Sequence, residues 1–194
     1  MTNIQRVISR AERTRAHLQT VALDVISRRG YDGTSVVEIA AAAGVSHMTF
    51  FRHFPTKESV LLDDPYDPVI ADAVRAQPVE LPALERVRRA VLTAWAALPE
   101  PGESETRARL ALVVAHPGLR AAALENNRHT EDAIVAALQA DGSDRLSARV
   151  AAGAVLGALT AALFDWGSDD GCQLLGERVE RALAQLAPRV EAAR

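Results

Sequence analysis

Aromatic residues are scarce in this 194-residue chain, at 4%. Sulfur is scarcer still, with one cysteine (Cys172) and two methionines. A single cysteine excludes an internal disulfide framework and a Cys-x-x-Cys motif, and it fits a reducing cytoplasm. Five scattered histidines give no structural zinc spacing. G-x-S-x-G, H-E-x-x-H and the phosphate-binding glycine loop are all missing, so neither an enzyme, a metal site nor a cofactor is expected. Period-two strand patterns bounded by hairpin turns are missing too. No membrane span is expected: the longest apolar candidate, RVAAGAVLGALTAALFDW at 149–166, is rich in Ala and Gly and reads as a buried helix. No signal peptide is visible, because residues 1–20 are polar and Arg-rich. The expected location is the cytoplasm.

What remains is aliphatic. Hydrophobic residues make up 48% of the chain, which excludes intrinsic disorder. With so few rings the core must be Ala-rich, and that favours packed helices over sheets. The net charge of −3 is uneven. Residues 1–60 hold eight basic side chains against five acidic ones, which leaves six net negative charges on the remainder. A basic N-terminal part on an acidic body suggests a polyanion partner for that part.

Helical signals punctuate the whole length. Residues 9–29 place Ala16, Leu18, Val21, Ala22, Val25 and Ile26 mostly on one stripe, and Gly30 ends the run. Ser35 opens a short helix, with Glu38 completing a capping box, and Gly44 stops it. Ser46 can cap a third helix running to about His53, and Pro55 terminates it. Thr56 can cap a fourth, beginning at Lys57. Pro65 and Pro68 break the chain, and Asp67-Pro68 restarts a helix as cap and first residue. Further helices are expected at 82–98, 104–115, 117–140, 145–166 and 173–187. The resulting plan has an N-terminal domain at 1–55, a linker helix region at 56–80 and a helical domain at 81–194.

The stretch GVSHMTFFRHFPTKE, 44–58, concentrates three of the four Phe, the only Lys and two of the five His. A core needs no Lys, and a solvated surface needs no Phe cluster. A helix, a tight turn with Gly at the positive-φ position and a second short helix form a helix-turn-helix pattern. Phe50 and Phe54, four apart, share one face and would pack inward with Ile39 and Val45. The first turn of the second helix, Ser46, His47, Met48 and Thr49, would reach base edges in a major groove. Phe51 flanks that side, while His53 and Lys57 would hold phosphates.

On these residues the chain resembles the TetR family of bacterial transcriptional regulators. The carriers are Gly33-Thr34-Ser35, Glu38-Ile39-Ala40, Ala43-Gly44-Val45-Ser46, Thr49 and Phe51 through Glu58. The resemblance is specific over residues 9 to about 62; beyond that only helix count, length and order match. A DPYDP segment and an ENNRHTEDA helix are similar to an actinobacterial branch that includes mycofactocin-associated and acyl-coenzyme A-responsive regulators. The resemblance implies an all-α homodimeric repressor with an N-terminal three-helix DNA-binding domain and a C-terminal ligand-binding and dimerisation bundle. It adds Thr34 and Ser35 to the DNA-facing set. It implies a palindromic double-stranded DNA operator, released when a small molecule binds. The chain departs from the family pattern at Phe51, where Tyr is usual, at Met48, where Gly or Pro is common, and at the Pro65–Pro68 interruption.

In the body, Trp95, His116, Asn127 and Phe164 are candidate lining for a pocket that takes an apolar or acyl-type effector. The helix at 145–166 is apolar on nearly all sides, with Gly153 and Gly157 four apart. Leu175, Val179, Leu183 and Leu186 stripe the last helix. The two helices together could build a four-helix dimer interface; the competing use of both stripes is burial inside one subunit. A DNA-independent helical adaptor that dimerises through the same helices is the alternative function.

Overall fold

The computed structural model describes residues 9–63, 66–96, 103–169 and 173–187. Its secondary structure there is ten helices and no strand. The chain divides into two compact units, Met1–Asp63 and Asp64–Arg194.

The first unit begins with α1 (Arg10–Arg29). Ser9 and Glu12 close a capping box: Glu12 N–H donates to Ser9 Oγ at 3.1 Å, and Ser9 N–H donates to the Glu12 carboxylate at 2.6 Å. Gly30, at φ 82°, turns the chain out of the helix while its N–H still reaches the Ile26 carbonyl. The buried face of α1 is Leu18, Ala22, Leu23 and Ile26, and Ala16, expected on that stripe, is exposed. Then follow α2 (Val36–Ala42), α3 (His47–His53) and α4 (Ser59–Leu62). Leu18, Ile26, Ile39, Phe50, Phe54 and Val60 are essentially solvent-free and form the core. Each such side chain contributes about 1.5–3 kcal/mol by burial.

The fourth helix differs from expectation. Thr56 and Ser59 bind each other reciprocally, each hydroxyl accepting the other's backbone N–H at 3.1 Å. They close a capped turn, and α4 proper starts only at Ser59. Nor does 56–80 form one linker region. Val60 and Leu61 are buried, α4 packs on α1, and Asp63 is held by an ion pair to Arg15 and a 3.0 Å bond from Gln19 to its carbonyl. Residues 56–63 therefore belong to the first unit.

The second unit holds α5 (Tyr66–Arg75), α6 (Ala83–Ala96), α7 (Glu103–Ala115), α8 (Pro117–Ala140), α9 (Arg145–Ser168) and α10 (Leu175–Ala184). Helix α5 begins at Tyr66, one residue before the expected cap. Pro68 falls within its first turn, where a missing N–H costs nothing. Pro65 and Cys172 lie outside the described residues. Helix α9 packs against α6, α7, α8 and α10. Its alanines at 148, 151, 152 and 162 let these neighbours approach, and at Gly167 a Cβ would come within 2.8 Å of Leu110 Cβ. Among the described residues α9 is the one helix long and apolar enough in composition to cross a membrane, but one face of it is packed inside this unit.

Leu175, Val179 and Leu183 of α10 are buried, the competing use expected for that stripe. Its apolar stripe is used inside the subunit, because it covers the core that α6 and α9 leave open. Among the exposed residues of α9, Leu146, Val150, Gly153 and Gly157 fall on one face. Arg86 is 1% exposed and joins three elements, donating to the Val74 carbonyl at the end of α5 and to Asp141 at the end of α8.

Candidate nucleic-acid interface

The turn between α2 and α3 is built as its residues dictate. Ala43 ends α2, and Gly44 takes φ 67°, a conformation that costs a residue with a side chain and costs glycine little. The Val45 N–H returns to the Ala40 carbonyl at 3.0 Å. Ser46 then caps α3, its Oγ accepting the Thr49 N–H at 3.1 Å.

Helix α3 has only seven residues, too short to be stable alone. Anchors hold it. Phe50 and Phe54 are fully buried with ring centroids 5.8 Å apart. Arg15 of α1 lies 4.5 Å over the Phe54 ring, donates to the last carbonyl of α3 at His53 (2.9 Å), and pairs with Asp63. The helix is thereby fixed on a rigid base with its outer face free.

The nine predicted DNA-facing residues separate into groups. His47, Met48 and Phe51 present exposed side chains, Met48 at 67% and Phe51 at 46%. Thr49 is half-buried, and its hydroxyl meets that of Ser46 at 3.0 Å. Ser46 and Ser35 are exposed, but both hydroxyls are engaged as helix caps, Ser35 with Glu38. His53 is half-buried beside Arg52 and Arg15; burial first, then those two cations, hold its imidazole below the usual pKa. It is therefore a poorer phosphate ligand at neutral pH than a charged histidine.

Thr34 and Lys57 depart from expectation. Thr34 is 2% exposed with its hydroxyl donating to the Gly30 carbonyl, so its side chain is not available to DNA. The Lys57 ammonium turns inward. It donates to the carbonyls of Tyr31 and Thr34 at 2.9 and 3.0 Å and sits 3.9 Å above the Tyr31 ring. Two carbonyls in the α1–α2 loop need a donor, and the start of α4 brings the lysine to them. The Tyr31 hydroxyl donates to the Glu58 carboxylate. Burial, reinforced by that carboxylate, pushes the phenol up, and the same hydrogen bond holds Glu58 below its ordinary value. Tyr31, Thr34, Lys57 and Glu58 together fasten the loop that starts α2.

The sequence reading missed Arg15, Val37 and Arg52. Arg15 sits three residues before Leu18 on the core stripe, a place where an arginine signals a buried partner. Val37 is 66% exposed on α2, and Arg52 is exposed beside Phe51. A 330 Å³ cavity between α1 and α2 is lined by Val25, Arg28, Arg29, Glu38, Ala41 and Ala42. Its arginines are already paired, Arg28 with Asp24 and Arg29 with Glu38.

The four candidate effector residues are not brought to one place. Asn127 of α8 donates to Thr160 of α9 at 2.8 Å, and Arg120 of α8 lies 5.9 Å from the Phe164 ring of α9, so these two share the α8–α9 seam. Trp95 faces α10, where a Cβ on Gly176 would meet its indole nitrogen at 3.4 Å. His116 is the residue before α8, at the α7–α8 junction.

Comparison with known proteins agrees with this architecture. Residues 19–63 match the family described as bacterial regulatory proteins, tetR family, and residues 81–191 match the MftR C-terminal domain. The transcriptional regulator TcmR of Streptomyces glaucescens is 39% identical over 85 residues, 41% of this chain and 38% of TcmR. A Mycobacterium tuberculosis protein named for regulating mycofactocin biosynthesis, MftR, is 28% identical over 126 residues, 62% of each chain. The aligned region thus spans less than two thirds of these relatives. Among solved structures, the regulator FadR from Bacillus subtilis, in complex with stearoyl-CoA, superposes with a TM-score of 0.57 at 19% identity, covering 88% of this chain and 96% of FadR. NalD, a repressor of a multidrug efflux pump in Pseudomonas aeruginosa, gives 0.57 at 18% identity, covering 91% and 94%.

Proposed function

Because this chain belongs to the TetR family of bacterial regulatory proteins, we propose that it is a cytoplasmic, ligand-responsive transcriptional regulator. It acts as a homodimer that represses from a near-palindromic DNA operator. The observation that carries the reading is α3: a capped, core-anchored helix after a glycine turn, offering His47, Met48 and Phe51 to a major groove. Two such heads on a two-fold axis read two half-sites. The exposed Leu146, Val150, Gly153 and Gly157 face of α9 is the surface for the second copy.

The effector is an apolar or acyl-type molecule. FadR was solved with stearoyl-CoA, and the core of the second unit is mostly aliphatic. The α8–α9 seam, with Asn127, Thr160, Phe164 and Arg120, is the place proposed for it. Release requires the effector to prefer the DNA-incompetent state by a few kcal/mol.

Fluorescence anisotropy tests this with the duplex upstream of the chain's own gene and a scrambled duplex, each at two salt concentrations. Selective binding that falls steeply with salt supports the regulator. Acyl-coenzyme A thioesters are the first effectors to titrate. No binding to either duplex at any salt favours the adaptor reading.

A further inference from the structure

The residue at position 51 raises a problem. A phenylalanine there cannot donate to a phosphate, yet its ring is 46% exposed on the helix that faces DNA. The ring is not loose. On its inner side it meets Phe50 edge-on, centroids 5.6 Å apart at 84°, and Phe50 is fully buried. On its outer side it meets the His47 imidazole edge-on, 6.5 Å apart at 86°. Phe50 continues to Phe54, which Arg15 covers. A row of ring contacts therefore runs from the clamped core of the head to the imidazole at the first position of α3. Edge-to-face pairs at these separations are favourable beyond simple burial.

We propose that Phe51 is a positioning residue for base readout: it holds His47 in one orientation, so that the imidazole presents a fixed nitrogen to a base edge. The proposal rests on the DNA-binding reading above. An imidazole on an exposed first turn otherwise samples several rotamers, and those that turn away from the base edge blur the discrimination between base pairs. The ring contact restricts that freedom before DNA arrives. Phe51 thus works through His47, and its loss alters which base is preferred at the position that His47 reads. A ring that merely packed against sugar or backbone would affect all sequences equally.

The test is selection from a randomised duplex library with the full chain, followed by affinities for the selected site and its single-base variants. The proteins are wild type, His47→Ala, Phe51→Leu, Phe51→Tyr and the double variant His47→Ala/Phe51→Leu. Phe51→Leu keeps an apolar, helix-compatible side chain at an exposed position, and circular dichroism checks its fold. Phe51→Tyr retains the ring edge. The expected result is that Phe51→Leu lowers discrimination about threefold to tenfold at the base pair where His47→Ala lowers it. Discrimination elsewhere stays the same, Phe51→Tyr restores the wild-type preference, and the double variant is no worse than His47→Ala alone. If Phe51→Leu weakens all duplexes alike, or adds fully to His47→Ala, the positioning role is overturned while the DNA-binding reading stands. If the wild-type chain enriches no motif, both are overturned.

Discussion

Lys57 provides the sharpest quantitative test of the head. Replacing it with methionine keeps most of the aliphatic stem and deletes the charge. Three contacts are lost: two hydrogen bonds from a charged donor to the Tyr31 and Thr34 carbonyls and the ammonium–ring contact with Tyr31. A hydrogen bond involving a charged group contributes about 1.5–3 kcal/mol, and a cation over an aromatic ring at a partly exposed site about 0.5–1 kcal/mol. The residue is only half-buried, so water can satisfy part of what is lost, and the expected cost is about 2–3 kcal/mol. In a unit of this size, unfolding on its own, that lowers the Tm by on the order of 10 °C. Amide exchange at residues 30–36 and 56–60 reads the loss locally, by a rise in exchange confined to the clamp. The same protein then goes to a salt titration on operator DNA. A phosphate ligand removed from each of two heads lowers the steepness of log affinity against log salt by about 1.8, about 0.9 per contact; a clamp leaves it unchanged. A variant with intact amide protection and a reduced salt slope would refute the clamp and return Lys57 to the phosphate backbone.

Four other outcomes follow from the second unit. Glu85 accepts from Arg88 and Arg89, and those bonds, the Arg88 one first, hold its carboxyl down at about 2 from an ordinary 4.5. A depressed folded value means stability that is present above the unfolded value and lost as pH falls from about 4.5 through 2; urea unfolding between pH 6 and 2 should show this, and Glu85→Gln should flatten that part of the profile. Asp141→Ala strands the buried Arg86 guanidinium, whose Nε already has no partner, at a cost of about 3 kcal/mol by urea midpoint, while Asp141→Asn costs less. Gly167→Ala drives a Cβ into Leu110 and costs about 1–3 kcal/mol. Gly157→Ala meets nothing within 4 Å in the subunit and is neutral or slightly stabilising there, so a shift toward monomer in sedimentation equilibrium would place α9 at the dimer interface.

Much of the head was legible before any coordinates, because its signals are local. A serine with a glutamate three residues on, a glycine at a helix end and two phenylalanines four apart each specify geometry within one or two turns. Ser35, Ser46, Gly44, Phe50 and Phe54 all behave as their spacing requires. The all-helical class followed from the same short-range patterns, and the helices at α7 and α8 separate at His116-Pro117 as the proline dictates.

The departures from expectation share one cause. Spacing places Lys57 and Thr34 outward because it says which residues share a face, not which carbonyls from another loop lie beneath them. Tyr31 stands 26 residues from Lys57, and only folding brings its carbonyl to the ammonium. The stripe on α10 was legible as apolar, but whether it meets a second copy or its own core depends on what α6 and α9 leave uncovered. Likewise Trp95, His116, Asn127 and Phe164 look like one set by composition, and packing puts only Asn127 and Phe164 on one seam. The sequence by itself determined most of the helices, the caps at Ser35 and Ser46 and the turn that sets α3 apart. Tertiary structure alone decided which polar groups face out, because each buried carbonyl or charge must find a partner, and that partner is chosen by distance in space, not by distance along the chain.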